Sequence, residues 1–260
     1  MIPDLRAVLC DADGNLFPSE EPAFVASADV TNEFLAEIGV PERFTAEQLR
    51  LATTGKNFRT TAVDLAVAHG VPVAAAVAGA RPAAVVTEDP VLTAETLERW
   101  VEQERVRVTA HLGRVLRPDP AVLEPLTRLG ERWLLAAVSS SATPRLAACF
   151  GATGLDALLP RDRRYSAEDS LPVPTSKPDP AVYLHACRAL GLTPAQAVAV
   201  EDSVPGALSA VAAGIATIGN LQFVPPAERD QREKQLRDTG VVAVVTSWSE
   251  VEQLLQEPAS

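Results

Sequence analysis

Ala7-Val8-Leu9-Cys10-Asp11-Ala12-Asp13-Gly14 opens with four apolar residues and breaks off in two carboxylates and a glycine. A short, continuously apolar run is what a strand buried on both faces of a parallel sheet requires, and the abrupt polar end is where it enters a loop. The cadence returns further on. Trp133-Leu134-Leu135-Ala136-Ala137-Val138 runs into Ser139-Ser140-Ser141, and Ala197 to Val200 runs into Glu201-Asp202. Ile215 to Ile218 and Val241 to Val245 supply two more strands. Helices separate them. Asp119-Pro120 is an N-cap followed by a proline at the first helical position, opening a helix that ends at Gly130. Others run near Pro144 to Phe150, from Asp179-Pro180 to Gly191, and from about Pro205 to Ala213 before Gly214. Strand and helix alternating at this spacing predict a parallel sheet covered on both faces.

The stretch between the first strand and Pro118 follows a different rhythm. Val30, Phe34, Leu35 and Ile38 recur at helical spacing, and Thr45 with Gln48 forms a capping box for a second helix. A third helix spans about Asn57 to His69, and Thr93 caps a long one with Leu97, Trp100, Val101 and Val108 on one face. Residues 71–92, rich in Ala, Val and Pro, fit no single pattern. The expected organisation is therefore an α/β core, a Rossmann-like doubly wound parallel sheet made of residues 1–17 and 118–260. A helical domain of residues 18–117 is inserted into it.

Composition narrows the function. The 260 residues are 47% hydrophobic and 22% charged, enough for a sizeable core. A net charge of -11 repels nucleic acid and anionic lipid, so neither is an expected partner. Any phosphate chemistry in so acidic a chain needs a local cation. Cys10, Cys149 and Cys187 show no metal spacing and read as reduced thiols. Met1-Ile2-Pro3-Asp4 places an acid where a signal peptide has its basic region, and no apolar run reaches the roughly 18 residues of a spanning helix. The expectation is a soluble cytoplasmic protein, monomeric or homodimeric.

Polar residues at the carboxyl ends of parallel strands share one rim, where open α/β sheets bind ligands. Here the rim receives Asp11, Asp13, Ser139, Glu201 and Asp202, with Lys177 in the intervening loop Thr175-Ser176-Lys177-Pro178-Asp179-Pro180. Each piece alone has an ordinary explanation. Asp-Gly is a turn pair, the serines suit a helix start, Lys177 suits a solvated loop, and Glu201-Asp202-Ser203 suits a helix cap. Together, in order along one sheet edge, they point to chemistry. Converging carboxylates cannot all ionise without a cation, and a hard oxygen-ligated ion such as Mg²⁺ answers that need.

Asp11-Ala12-Asp13-Gly14-Asn15-Leu16, Val138-Ser139-Ser140, Lys177-Pro178-Asp179-Pro180 and Val200-Glu201-Asp202-Ser203-Val204-Pro205-Gly206-Ala207 resemble the four motifs of the haloacid dehalogenase-like hydrolase superfamily. The pattern is similar to its small-phosphatase and β-phosphoglucomutase-like members, whose helical cap follows the first motif. The resemblance implies Mg²⁺ and an aspartyl-phosphate intermediate. It implies Asp11 as nucleophile, Asp13 as general acid and base, and Ser139 and Lys177 as partners of the phosphoryl oxygens. It also implies Asp11, the Asp13 carbonyl, Asp202 and Glu201 at the metal. Asn15 departs from the usual threonine or valine, for which a local turn adjustment without loss of function is expected. A second departure is the long charged tract Phe223 to Gly240, in which Glu228, Arg229, Asp230, Arg232, Glu233, Lys234 and Arg237 read as a solvated helix.

Specificity is expected in the cap, because the core meets only phosphate and metal. Gly55, Lys56 and Arg59 sit at a turn between two cap helices, and together with Ser140 are the candidate substrate contacts. A C-cap glycine followed by surface cations explains the same turn equally well. The reading that follows is a phosphatase for a small phosphorylated metabolite, a sugar phosphate or phosphoglycolate-like ester. A phosphosugar mutase needs the same residues, and a non-catalytic ligand-binding module is the alternative from another class. A dehalogenase or phosphonate hydrolase is disfavoured by the acid at position 13.

Overall fold

A computed structural model describes residues 4–53 and 57–256. The chain divides into two compact units, residues 1–19 with 115–260, and residues 20–114.

The first unit is built on β1 (Ala7–Cys10), β2 (Leu134–Ser139), β3 (Arg164–Ser166), β4 (Ala197–Glu201), β5 (Ala216–Asn220) and β6 (Ala243–Val245). All pairings are parallel, in the order β3-β2-β1-β4-β5-β6. The order reverses at β1, so β1 and its neighbours β2 and β4 flank the crevice where such sheets bind ligands. Every residue of β1 and β4 is buried, as the apolar composition of Ala7–Cys10 and of Ala197 to Val200 demands. Ala7, Leu9, Ala136, Val138, Ala197 and Ala199 share one core with Val182, Tyr183, Ala186 and Cys187. Those four come from the helix Ala181–Ala189. The alternate residues Val8, Cys10, Val198 and Val200 are equally buried. Burying a leucine such as Leu9 completely contributes about 2 kcal/mol. The edge strand β3 is absent from the sequence reading because its three residues, Arg164-Tyr165-Ser166, carry no apolar run.

In chain order the helices of four residues or more, among the described residues, are α1 (Glu20–Glu37), α2 (Ala46–Thr53), α3 (Phe58–Ala68), α4 (Ala75–Ala78), α5 (Ala94–Val115), α6 (Pro120–Gly130), α7 (Thr143–Thr153), α8 (Ala181–Ala189), α9 (Val204–Ala212), α10 (Arg229–Asp238) and α11 (Trp248–Gln256). The caps follow the residues that specify them. The Asp119 side chain accepts from the Ala121 N–H at the start of α6, and Thr45 and Gln48 exchange reciprocal bonds at the start of α2. Gly154, in the left-handed region at φ 73°, ends α7.

Helices α1 to α5 make up most of the second unit. Phe34 packs edge-to-face on Phe58 and on Trp100, within a core that includes Val30, Leu35, Ala62, Leu92 and Leu97. Residues 71–92 hold only α4 and isolated bridges from Val73 to Val86 and Leu92. Bonds such as Val73 N–H to the Val85 carbonyl and Ala74 N–H to the Leu92 carbonyl tie the stretch to itself outside any regular element, which is why no periodicity marks it.

Candidate active site

Strand register sets the site. Cys10 pairs with Ala137 of β2 and with Val200 of β4, so the residues that follow, Asp11 and Glu201, emerge side by side. The Asp11 N–H extends the ladder by donating to the Val200 carbonyl at 2.9 Å. Beyond Asp11 the chain turns sharply, with Leu16 N–H bonded to the Ala12 carbonyl and Gly14 N–H to Phe17. Gly14 is required there twice over. Its φ is +78°, and a Cβ at this position would collide with Asp202 Oδ2.

Lys177 ties the strand ends together. Its loop returns from β3, and its Nζ donates to Asp11 Oδ1, to Glu201 Oε1 at 2.6 Å and to the Val138 carbonyl at 2.8 Å. All three ammonium protons are thus used. The Lys177 N–H donates to Ser140 Oγ at 3.1 Å, which fixes the loop against the end of β2. Burial alone would lower the Lys177 ammonium, but Asp11 and Glu201 outweigh it and hold it above its usual range. Burial pushes the Asp11 carboxyl up, Lys177 draws it down, and Glu201 and Asp13 push it up again. The net direction is upward, to about 8.

Asp13 has a separate set of partners. Ser19 Oγ at 2.6 Å and Arg145 Nη2 at 2.9 Å donate to its Oδ1, and Ser141 Oγ at 2.7 Å donates to Oδ2. Burial alone would raise this carboxyl. The Arg145 charge and the bonds from Ser19, Ser141 and Arg145 outweigh it and hold Asp13 below the usual carboxylate range. Neighbouring carboxyls two residues apart are therefore pushed in opposite directions, a pattern common where acid and base roles divide.

Asn15 does more than adjust a turn. It is fully buried, and its Nδ2 donates to the carbonyls of Asp11 and Val200, both at 3.0 Å. Asn220 Nδ2 at the end of β5 donates to Asn15 Oδ1 at 2.9 Å, and Trp248 Nε1 donates to the Asn15 carbonyl at 2.9 Å. One amide thus spans the ends of β1, β4 and β5. The charged tract also reaches inward. α10 buries Leu236, and Arg232 donates to the Asp202 carbonyl at 2.9 Å.

The sequence-predicted residues Asp11, Asp13, Ser139, Ser140, Lys177, Glu201 and Asp202 are all in the first unit, and the bonds above join Asp11, Lys177, Glu201 and Ser140 directly. Ser139 is buried, and its Oγ accepts from the Ser141 N–H at 3.0 Å. Gly55 and Lys56 lie outside the described residues. Arg59, on α3, makes a two-pronged ion pair with Glu98 of α5. Sequence reasoning missed Ser19, Ser141, Arg145, Asn220, Tyr183 and Arg232. Apart from Asn220, the last residue of β5, they sit on loops and helices with no strand-end signature, and only the folded chain brings them to the rim.

One oxygen each of Asp11, Glu201 and Asp202 lie within 4.8 Å of one another, and all three side chains are buried. Ionised together, the three carboxylates leave two negative charges beyond the one that Lys177 offsets, and a divalent cation cancels them. Glu201 Oε2 is buried without a hydrogen-bond partner among the described residues, as suits an oxygen reserved for a cation. The donors are all oxygen, so the set fits a hard ion.

Fold and site define an α/β protein with a buried acidic centre at the switch point of its sheet. The chain belongs to the haloacid dehalogenase-like hydrolase family, whose model matches residues 5–214. A phosphoglycolate phosphatase of Psychrobacter arcticus is 49% identical over 51 residues, 20% of this chain and 21% of that protein. The match thus spans about a fifth of that relative's length. Among solved structures, a predicted phosphoglycolate phosphatase from Haemophilus somnus superposes with TM-score 0.70 at 21% identity, over 98% of this chain and 100% of that one. CbbY from Rhodobacter sphaeroides, in complex with phosphate, gives 0.63 at 22% identity, over 95% of this chain and 96% of that one. Both likenesses concern the fold. Among the described residues no helix is long and apolar enough to cross a membrane.

Proposed function

We propose that the protein is a Mg²⁺-dependent phosphatase that hydrolyses a small phosphomonoester through a phosphoryl group carried on Asp11. The observation that carries this reading is the cluster of Asp11, Glu201 and Asp202, the first two paired with Lys177, with Asp13 beside it but held by its own partners. Mg²⁺ would be held by the carboxylates of Asp11, Asp202 and Glu201 with the Asp13 carbonyl, and supplies charge stabilisation for the phosphoryl oxygens.

The Asp11 carboxylate attacks phosphorus, forming an O–P bond as the ester P–O bond breaks. Asp13, protonated for this step, gives its proton to the leaving oxygen. Asp13 then takes a proton from water, whose oxygen attacks the same phosphorus. The Asp11 O–P bond breaks and inorganic phosphate leaves. Lys177 neutralises Asp11 and the transferring group, and Ser139 and Ser140 supply neutral donors. The partners of Asp13 favour its ionised form, which suits the water-activating second step. Residues 18–117 are read as the cap, with Gly55, Lys56 and Arg59 selecting the remainder of a sugar phosphate or phosphoglycolate-like substrate. The name of the Psychrobacter relative supports the second of these classes. For Arg59 to reach a substrate, its pair with Glu98 must open.

The test is phosphate release from sugar phosphates, phosphoglycolate and an aryl phosphate, with and without Mg²⁺, by wild type and Asp11→Asn. Turnover that needs the metal and falls at least about a thousandfold in the variant supports the reading. Folded wild type that releases phosphate from none of them refutes it, and assays for phosphosugar mutase activity with a bisphosphate primer follow.

A further inference from the structure

Tyr183 belongs to no part of the reaction described above, yet it touches the acidic centre. It lies on α8, four residues past Asp179, with its ring in the core under β1, β2 and β4. The side chain is wholly buried, and so is Glu201. A tyrosine hydroxyl sealed away from water needs a partner, or its burial costs about 2 kcal/mol. Here the partner is Glu201 Oε1, which accepts from Tyr183 Oη at 2.5 Å. A phenylalanine would fill the same apolar space without that requirement, so the hydroxyl has its consequence at Glu201.

Glu201 is held asymmetrically. Oε1 accepts from Tyr183 Oη and from Lys177 Nζ, whereas Oε2 has no hydrogen-bond partner among the described residues. Lys177 cannot hold Glu201 alone, because its Nζ also bonds Asp11 and the Val138 carbonyl. Its ring contact completes the arrangement, with Nζ 5.2 Å from the centre of the Tyr183 ring. Gly206, in the first turn of α9, leaves the room that the carboxylate occupies. Two donors on one oxygen fix the carboxylate's orientation and leave the other oxygen's lone pairs uncommitted.

We infer that Tyr183 is a positioning residue for a divalent cation: by pinning Oε1 of Glu201 it presents Oε2 as a ligand, and so sets the affinity of the Asp11–Glu201–Asp202 centre. This rests on the metal reading of the preceding section and adds to it a residue outside the ligand set. Residues that orient metal ligands through hydrogen bonds typically change affinity by about tenfold or more when replaced.

The probe is Mn²⁺, titrated into metal-stripped protein and followed by the electron paramagnetic resonance signal of the free ion, with no substrate present. Tyr183→Phe keeps the ring and removes only the hydroxyl. It is expected to weaken Mn²⁺ binding about tenfold while circular dichroism stays that of wild type. Glu201→Gln is expected to weaken binding further. Adding Tyr183→Phe to Glu201→Gln is expected to change nothing more, because Tyr183 acts through Glu201. Wild-type affinity in Tyr183→Phe overturns the inference and leaves the metal reading intact, and so does a full additional loss in the double variant. Wild type that binds no Mn²⁺ overturns both.

Discussion

Replacing Asn15 with alanine removes one side chain and three hydrogen bonds at once. Asn15 Nδ2 donates to the Asp11 and Val200 carbonyls and Asn15 Oδ1 accepts from Asn220. Val200 O keeps the Asp11 N–H as donor, so the largest single loss falls on Asn220 Nδ2, left without its partner in a fully buried side chain. At about 1 kcal/mol for each bond, with a further increment for the stranded donor, Asn15→Ala is expected to cost about 3–4 kcal/mol. Asn220→Ala loses its bond to Asn15 and the acceptor of the Gln222 N–H, a cost of about 2 kcal/mol. The two variants share one bond, and the double variant strands no Asn220 donor. The double is therefore expected to be about 1–2 kcal/mol more stable than the sum of the singles predicts. Urea unfolding followed by circular dichroism measures all four proteins. A cost below about 1 kcal/mol for Asn15→Ala, or strict additivity of the pair, refutes the assignment of Asn15 as the bridge between strand ends.

Two further perturbations test neighbouring parts of the site. Arg145→Met removes the cation at Asp13, with an expected cost of about 2 kcal/mol at pH 7. Because Arg145 helps hold the folded Asp13 carboxyl below its unfolded value, that cost is fully present above about pH 4 and shrinks as pH falls through the lowered value. Urea unfolding at pH 7 and pH 3 reads the difference, and a cost that grows on acidification contradicts it. Gly206→Ala sets two effects against each other. An exposed helix would gain about 1 kcal/mol from alanine, but here the new Cβ collides with the Glu201 carboxylate, which Tyr183 and Lys177 hold in place. A net loss of about 1–3 kcal/mol and weakened Mn²⁺ binding are expected. A variant as stable as wild type, with unchanged binding, shows that Glu201 moves freely.

The sequence by itself determined the parallel α/β class and the residues of the acidic rim. Both are written in contiguous signals: apolar runs such as Ala7 to Cys10 that end in Asp11 or in Glu201-Asp202, and the proline and glycine punctuation of the helices between them. A strand fully buried on both faces has little freedom of composition, so its ends are legible. Tertiary structure alone decided what holds those residues in place. Tyr183 reads as one more apolar helix position until α8 packs against β2 and β3 and sets its hydroxyl 2.5 Å from Glu201. Asn15 reads as a turn residue until β4 and β5 bring Val200 and Asn220 to its amide, 185 and 205 positions away. Arg145 reads as a helix-surface cation until α7 turns it towards Asp13, 132 positions earlier. Sequence periodicity records which face of an element is buried. It does not record which distant polar group meets it there, because that pairing is set by strand order and register, and those arise only when the sheet closes.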